Sequence, residues 1–164
     1  MSGVAKDDRG WLAKAVELSR LSPPTLTNYA VGAIVVDHNG VVRATGYTGE
    51  GERRDHAEEA ALAKLAGQSG LDLAHTTIYS TLEPCTTRQS RPVTCTERIL
   101  AAGIKRVVIA LREPLLFAEC RGVETLRDGG VEVVEITDIG HLVHEINSHV
   151  LDLQHADGRI VASG

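Results

Sequence analysis

Apolar positions change period several times along the chain, and each change marks an element. Trp11, Leu12, Ala15 and Leu18 recur at helical spacing and run into Ser22-Pro23-Pro24, where a first helix is expected to end. Ala30 to Val36 is a continuous β-rich run, Asp37-His38-Asn39-Gly40 carries an Asn-Gly turn signal, and Val41 to Tyr47 follows; together they predict a β-hairpin. Ala57 to Ala66 reads as a helix whose small residues allow close packing on a sheet, and Thr76 to Thr81 as a short strand leading into Leu82-Glu83-Pro84-Cys85. Thr94 with Glu97 three residues later is a capping box, so a helix starts there, with Ile99, Leu100 and Ala102 on its apolar face and Gly103 as its stop. Lys105 to Leu111 predicts a buried strand, Glu119 to Arg127 a helix, Gly129-Gly130 a turn and Val131 to Ile136 the last strand. Ile139, Leu142, Val143, Ile146, Val150 and Leu153 place one stripe along a final helix, and Asp157 to Gly164 reads as a frayed tail.

A helix between the last two strands, with short connections, makes their natural relation a right-handed crossover, hence parallel. The expected fold is α/β: a three-layer α/β/α sandwich on a mixed five-stranded sheet whose last two strands are parallel. One domain is expected over 1–156, including the C-terminal helix, with 157–164 as tail. A chain of 164 residues buries roughly 70% of its unfolded surface, so it needs no metal or disulfide merely to have a core. A metal site would therefore imply chemistry.

Charge and composition narrow the function. Seventeen Lys and Arg against 22 Asp and Glu give a net charge of −5, which argues against a general nucleic-acid or anionic-membrane surface. With 3% aromatic residues, a site built on stacking platforms is not expected. The cysteine count is odd and the N-terminus reaches charge before any apolar run, so the expectation is a cytoplasmic protein with reduced thiols. No apolar stretch approaches the ~18 residues of a membrane span.

The residues that carry chemistry are His56-Ala57-Glu58 at one helix start, and Pro84-Cys85 with Cys95 at the approach to the next. Alone, His-x-Glu is a cap with a surface charge, and a buried Cys is a small hydrophobe. Together they supply one imidazole and two thiolates, the donor set of a catalytic zinc site with a fourth position left for water. The order His-x-Glu, Pro-Cys, Cys matches the zinc deaminase signature, in which the Glu is a proton shuttle and not a ligand. A helix N-terminus favours thiolate over thiol, and the cap at Thr94 puts Cys95 at one. His56 and Glu58 lie about 200° apart on an ideal helix, so both face one metal only if His56 precedes the regular helix, with Asp55 as its cap.

On these residues the sequence resembles the cytidine-deaminase-fold superfamily, and most of all the deaminase domain of the riboflavin-pathway bifunctional pyrimidine deaminase/reductase. The similarity runs from Trp11 to Ile136 and includes Asn28-Tyr29-Ala30-Val31-Gly32-Ala33, Gly46-Tyr47, Thr81-Leu82-Glu83-Pro84-Cys85 and Ala101-Ala102-Gly103-Ile104. The resemblance implies hydrolytic deamination. Zinc held by His56, Cys85 and Cys95 would activate a water, and Glu58 would carry its proton to a ring nitrogen and then to the departing amine. It further implies that Asn28 contacts the sugar or base of the substrate, that the Ala57 N–H binds a ring carbonyl, and that Arg91 meets a phosphate. Parallel last strands agree with this branch.

Departures from the family pattern bear on the substrate. Nine residues separate Cys85 from Cys95, against two in the commonest signature, a change that costs a flexible loop little. The family's Gly-Tyr-His reads Gly46-Tyr47-Thr48, and its Asp-Pro-Asn reads Glu113-Pro114-Leu115. Both lost side chains belong to the family's substrate pocket, and the sequence carries no reductase half, so a different substrate from the riboflavin intermediate is expected.

The expectation is thus a zinc-dependent deaminase of a small aminopyrimidine or related heterocycle, consuming water, releasing ammonia and forming a homodimer or higher homo-oligomer. Two alternatives stand beside it: a tRNA or nucleic-acid deaminase, against which charge and scarce aromatics weigh, and a non-catalytic zinc-bearing interaction domain. A structural zinc site would close all four positions with protein ligands, and no fourth is evident. Glu58 as a mere cap, Asn28 as a turn residue and Arg91 as a solvated cation are the plain readings of those residues. Cys120 reads as a packed helix residue. His144-Glu145 followed by His149 has one residue too many for the metalloprotease motif, putting the histidines about 140° apart.

Overall fold

The structure, a computed structural model, describes residues 5, 7–25, 27–88, 91–113 and 120–150. Its elements are α1 (Asp8–Ser19), β1 (Gly32–Val36), β2 (Val42–Tyr47), α2 (Ala57–Leu65), β3 (Thr77–Leu82), α3 (Cys95–Ala102), β4 (Arg106–Leu111), α4 (Gly122–Asp128), β5 (Glu132–Glu135) and α5 (Gly140–Ile146), with short 3₁₀ turns at Leu73–His75 and Thr137–Ile139. The strands form one sheet in the order β2-β1-β3-β4-β5. β1 is antiparallel to both β2 and β3, whereas β3, β4 and β5 run parallel, as expected for the last two strands.

Period-2 alternation in the strands feeds two cores. Ala33, Val35, Ile78, Val107, Ile109 and Val133 face α2, α3 and α4 through Ala61, Leu65, Ile99, Val123 and Leu126. Ile34, Val36, Tyr79, Val108, Ala110 and Val134 face α1 and α5 through Leu12, Ala15, Val16 and Val143. Strands covered on both sides must be apolar at every position, which is why β1 and β4 read as continuous runs in the sequence. The layers are the expected α/β/α sandwich.

Close approach brings α2 down onto the hairpin. A Cβ at Gly46 would sit 2.2 Å from the Ala57 carbonyl oxygen and 2.7 Å from the Ala61 amide, so only glycine lets the start of α2 rest on β2. Gly103 ends α3 in the left-handed region at φ 80°, the conformation glycine adopts without penalty.

Several boundaries differ from the sequence expectation, each for a local reason. β1 starts at Gly32 instead of Ala30 because the Ala30 amide and carbonyl are both bound by the Asn147 side chain, while Val31 N–H donates to Thr48 Oγ1. The C-terminal stripe is not one helix. α5 ends at Ile146, and Asn147 turns the chain before a short helical segment at 148–150. Its side-chain Nδ2 also donates to the Val143 carbonyl. Cys120 precedes α4, which begins at Gly122, so it is not a helix residue. Pro114, Leu115, Leu153 and the 157–164 tail lie outside the described residues.

Candidate functional site

Three elements converge at the ends of β1 and β3. His56 is the N-cap of α2 with extended backbone, φ −81° and ψ 156°. It, and not Asp55, caps the helix, and its backbone N–H donates to Glu59 Oε1. Because His56 precedes the regular helix, its ring and the Glu58 carboxyl can both address one point. Cys85 follows Pro84 at the exit from β3. Cys95 opens α3, whose start is fixed by Thr94 Oγ1 accepting from the Glu97 amide and the Glu97 carboxylate accepting from the Thr94 amide.

The donor atoms of His56, Cys85 and Cys95 all lie within 4.8 Å of one another. His56 Nδ1 is 3.3 Å from Cys95 Sγ and 3.6 Å from Cys85 Sγ. Around a tetrahedral zinc, with Zn–N of about 2.1 Å and Zn–S of about 2.3 Å, a nitrogen and a sulfur ligand stand about 3.6 Å apart. One imidazole and two thiols at this spacing fit zinc. No fourth His, Cys, Asp or Glu joins the group among the described residues, which leaves a coordination position for a small molecule.

Electrostatics prepare the thiols. A hydrogen bond from Cys95 holds the Cys85 thiol far below its ordinary range, to about 4, against the cost of burial and with help from the neighbouring His56. The Cys95 amide donates to the same sulfur at 3.3 Å. The same sharing of one proton, with burial, pushes the Cys95 thiol up. Burial disfavours the His56 imidazolium, but the hydrogen bond and negative charge of Cys85 outweigh it and raise its pKa. The two thiols thus share one proton unequally, with Cys85 the more acidic, and a metal cation would displace that proton.

Glu58 is buried, at 4% exposed. Burial raises its pKa, partly offset by the His56 charge and by Ser80 Oγ, which lies 2.7 Å from Glu58 Oε1. A carboxyl held this way exchanges a proton more readily near neutrality than an exposed one.

These groups open into a cleft of ≈ 610 Å³, counting its part open to solvent, whose walls include Asn28, Thr48, His56, Ala57, Glu58, Cys85 and Glu113. Of the residues expected from the sequence to touch a substrate, Asn28 and Ala57 line it. Arg91 does not. Its guanidinium is held by Glu52 at 2.6 Å and Asp55 at 2.8 Å, which ties the loop before Cys95 to the one before α2. Arg88 takes a place on the cleft wall and also pairs with the buried Glu59 at 3.2 Å.

The sequence reading passed over Ser80, Glu83 and Glu113 as site residues. Glu83 is buried and braces the cleft, accepting from the Glu113 amide at 3.0 Å and from the Val123 amide at 2.9 Å. Burial pushes the Glu113 carboxyl up to about 7, so a wall of the cleft carries an acid that is partly neutral at physiological pH. Glu83 and Glu113 lay inside the motif segments Thr81-Leu82-Glu83-Pro84-Cys85 and Glu113-Pro114-Leu115, whereas Ser80 showed only as a polar position in an apolar run, which does not say what it faces. Thr48 fills its own position structurally: its Oγ1 accepts from Val31 N–H, and its backbone N–H donates to the Val31 carbonyl.

Residues 5–111 match a family model described as the cytidine and deoxycytidylate deaminase zinc-binding region. The chain is 36% identical over 126 residues to diaminohydroxyphosphoribosylamino-pyrimidine deaminase of Schizosaccharomyces pombe, covering 76% of this chain and 31% of that one. It is 39% identical over 131 residues to riboflavin biosynthesis protein RibD of Aquifex aeolicus, covering 79% and 35%. The chain thus spans about a third of the length of these curated relatives. Among solved structures it superimposes with a TM-score of 0.71 and 33% identity on the diaminohydroxyphosphoribosylaminopyrimidine deaminase/5-amino-6-(5-phosphoribosylamino)uracil reductase of Thermotoga maritima, covering 87% of this chain and 38% of that one.

Proposed function

Because the chain belongs to the cytidine and deoxycytidylate deaminase zinc-binding family, we propose that it is a zinc-dependent hydrolytic deaminase that removes an exocyclic amine from a small aminopyrimidine or related heterocycle. The observation that carries this reading is the placement of the buried Glu58 in the same cleft wall as His56 and Cys85, with Cys95 completing a three-donor set. A structural site would have no use for a desolvated carboxyl beside an incomplete ligand set.

His56, Cys85 and Cys95 would hold zinc, which supplies Lewis acidity toward water. Glu58 accepts the proton of the attacking water, delivers it to a ring nitrogen, and returns a proton to the amine as it leaves as ammonia. Ser80 orients that carboxyl from below. Ala57 and Asn28 both line the cleft; in this reading the Ala57 N–H at the start of α2 donates to a ring carbonyl and the Asn28 amide meets polar groups of the substrate. Water and one heterocycle are the reactants; ammonia and the corresponding oxo-heterocycle are the products.

Names of the relatives point to a phosphoribosylated diaminopyrimidine. Thr48 Oγ1 accepts from Val31 N–H, so on the cleft wall it offers a substrate a short hydroxyl where the family has a longer, basic histidine. A homo-oligomer in the cytoplasm remains part of the proposal. The exposed Val41 and Val42 at the open edge of the sheet support an interface, and light scattering reads it.

The test is an ammonia-release screen of the zinc-loaded protein. It would contain the phosphoribosylated diaminopyrimidine alongside cytosine, guanine, their nucleosides and nucleotides, with Glu58→Gln as control. Release from one class, abolished by Glu58→Gln at unchanged zinc content, is expected. Zinc binding with no release from any compound would overturn the enzyme reading in favour of an interaction domain.

A further inference from the structure

Next to Glu58 stands a second buried acid that the proposed reaction does not use. Glu59 lies in the first turn of α2 and is 9% exposed. Its two oxygens reach every segment that carries a metal donor. Oε1 accepts from the backbone N–H of His56 at 3.3 Å and from Arg88 Nη1 at 3.2 Å. Oε2 stands 2.8 Å from Arg98 Nη2 and 3.9 Å from Arg91 Nε. Arg88 comes three residues after Cys85, and Arg98 three residues after Cys95, about one turn along α3. One carboxylate therefore joins the backbone of the first donor, the loop that leaves the second and the helix opened by the third.

The arginines are anchored in turn. Arg88, whose side chain is 2% exposed, also donates through Nη2 to the Arg54 carbonyl at 2.8 Å, two residues before His56. Arg91 pairs with Glu52 at 2.6 Å and Asp55 at 2.8 Å. Glu52, Asp55 and Glu59 thus face Arg88, Arg91 and Arg98, so the cluster balances its own charge. A capping glutamate needs only the amide of its N-cap residue. Glu59 is covered as well, and draws in cations from beyond its own helix. Burying such ions contributes little to net stability, because desolvation offsets their attraction, yet removing one partner leaves the others uncompensated. Their geometry is therefore exacting, and the positions it fixes are those of His56, Cys85 and Cys95.

We propose that Glu59 is a positioning residue for the metal centre, holding the three donor-bearing segments in register through His56 N–H, Arg88 and Arg98 before an ion arrives. Donors already at ligand spacing lose little freedom on binding, so an outer contact of this kind governs metal affinity without touching the ion. Glu58 and Glu59 then have separate tasks. The first lines the cleft, and the second acts through the frame around it. The inference rests on the zinc-binding part of the deaminase reading, and not on which heterocycle enters the cleft.

The test compares the full chain with Glu59→Gln, Arg98→Gln and Arg98→Lys. Zinc Kd is measured by competition with a chromogenic chelator, well below the metal-free Tm of each protein, and the thiolate-to-cobalt absorption of the Co²⁺-loaded proteins reports donor geometry. Glu59→Gln is expected to weaken zinc binding on the order of tenfold or more and to alter the cobalt spectrum. Arg98→Gln is expected to weaken zinc binding too, and Arg98→Lys to recover part of the loss. Charge alone makes the opposite prediction for Arg98, since losing a cation near the centre would tighten the binding of Zn²⁺. An Arg98→Gln protein that binds zinc as tightly as the wild type, or tighter, would overturn the proposal. So would a Glu59→Gln protein with a lowered Tm but the wild-type Kd and cobalt spectrum, which would make Glu59 a residue of the fold only. Should Glu59→Gln not fold, the two Arg98 variants decide on the same readouts. A wild-type chain that takes up no zinc would overturn the donor set itself. Neither measurement needs turnover, so the expected Kd pattern in a protein that releases no ammonia sinks only the enzyme reading, and ammonia release with unaltered Kd in the variants sinks only the positioning role.

Discussion

Ser80 Oγ sits 2.7 Å from Glu58 Oε1 and 2.9 Å from the Leu82 carbonyl oxygen, so one hydroxyl proton faces two acceptors. Both residues are buried, and the contact ties the middle of β3 to the first turn of α2. An ionised Glu58 claims the proton. A protonated Glu58 can itself donate to Ser80 Oγ, and the hydroxyl then turns to Leu82.

Removing that hydroxyl leaves the carboxyl without its side-chain partner. Ser80→Ala is predicted to lower kcat about tenfold, the value of one hydrogen bond to a charged group, with KM little changed. Glu58→Gln is predicted to lower kcat by about 10²–10⁴-fold while zinc content stays the same. Steady-state kinetics with metal analysis checks both. An S80A variant with wild-type kcat would remove Ser80 from the proton path.

Zinc is predicted to stabilise the fold, since its three donors are brought together by α2, β3 and α3 and are scattered in the unfolded chain. At free zinc 1,000 times its Kd the gain is about 4 kcal/mol. Chelation should lower Tm and zinc should restore it, whereas Cys95→Ser should bind less than one equivalent and show no zinc-dependent Tm. A Tm indifferent to chelator in a protein that still loses its metal would show that the donors are preformed without contributing to stability.

Asp8 provides a pH dependence far from the site. Burial alone would raise its pKa, but hydrogen bonds from Arg106, the Ala5 amide and Tyr79, with the Arg106 charge, outweigh it and hold the carboxyl below its ordinary value. Arg106 Nη1 and Nη2 approach its two oxygens at 2.8 and 2.6 Å, and Tyr79 Oη at 2.7 Å. The folded carboxyl is thus the stronger acid. Its stabilisation is complete above the unfolded value of about 3.9 and is lost as pH falls through the folded one. Asp8→Asn is predicted to cost about 3 kcal/mol near neutral pH, with the deficit shrinking below about pH 4. Urea denaturation of both proteins from pH 7 to 2.5 measures it, and a deficit unchanged at the acid end would contradict this account.

Asn147 clamps the strand that leads into the cleft. Its Oδ1 accepts from the Ala30 amide at 2.7 Å, and its Nδ2 lies 3.2 Å from the Ala30 carbonyl and 2.9 Å from that of Val143. Asn147→Ala leaves these backbone groups without their partner and is predicted to cost about 2 kcal/mol. Because Asn28 lies two residues upstream of Ala30 in the cleft wall, KM is expected to rise more than kcat falls. Asn147→Asp, which keeps the acceptor, should recover part of the stability. A destabilised N147A with unaltered KM would confine Asn147 to the fold.

Much of this was legible in the residues. Alternation and punctuation located every strand and the major helices, since a strand covered on both faces must be apolar throughout and Gly103 must stop α3. The candidate ligand types, their order and Glu58 were local too, because each sits within a few residues of a helix start or strand exit that the pattern marks. What the pattern could not carry was anything decided by a partner distant in sequence. Asn147 broke the C-terminal stripe by binding Ala30, 117 residues away. Asp55 yielded the cap to His56 and was drawn instead to Arg91.

The sequence by itself determined the layers, the parallel crossover and which three side chains could hold a metal, because backbone periodicity and side-chain chemistry act over a few residues. Only the tertiary structure decided which charges are spent. Arg91 is neutralised by Glu52 and Asp55, Arg88 and Arg98 both reach Glu59, and Ser80 lies beside Glu58. A charge or a hydroxyl has no fixed role until its neighbours are placed within hydrogen-bond reach, and that placement is a property of packing, not of order along the chain.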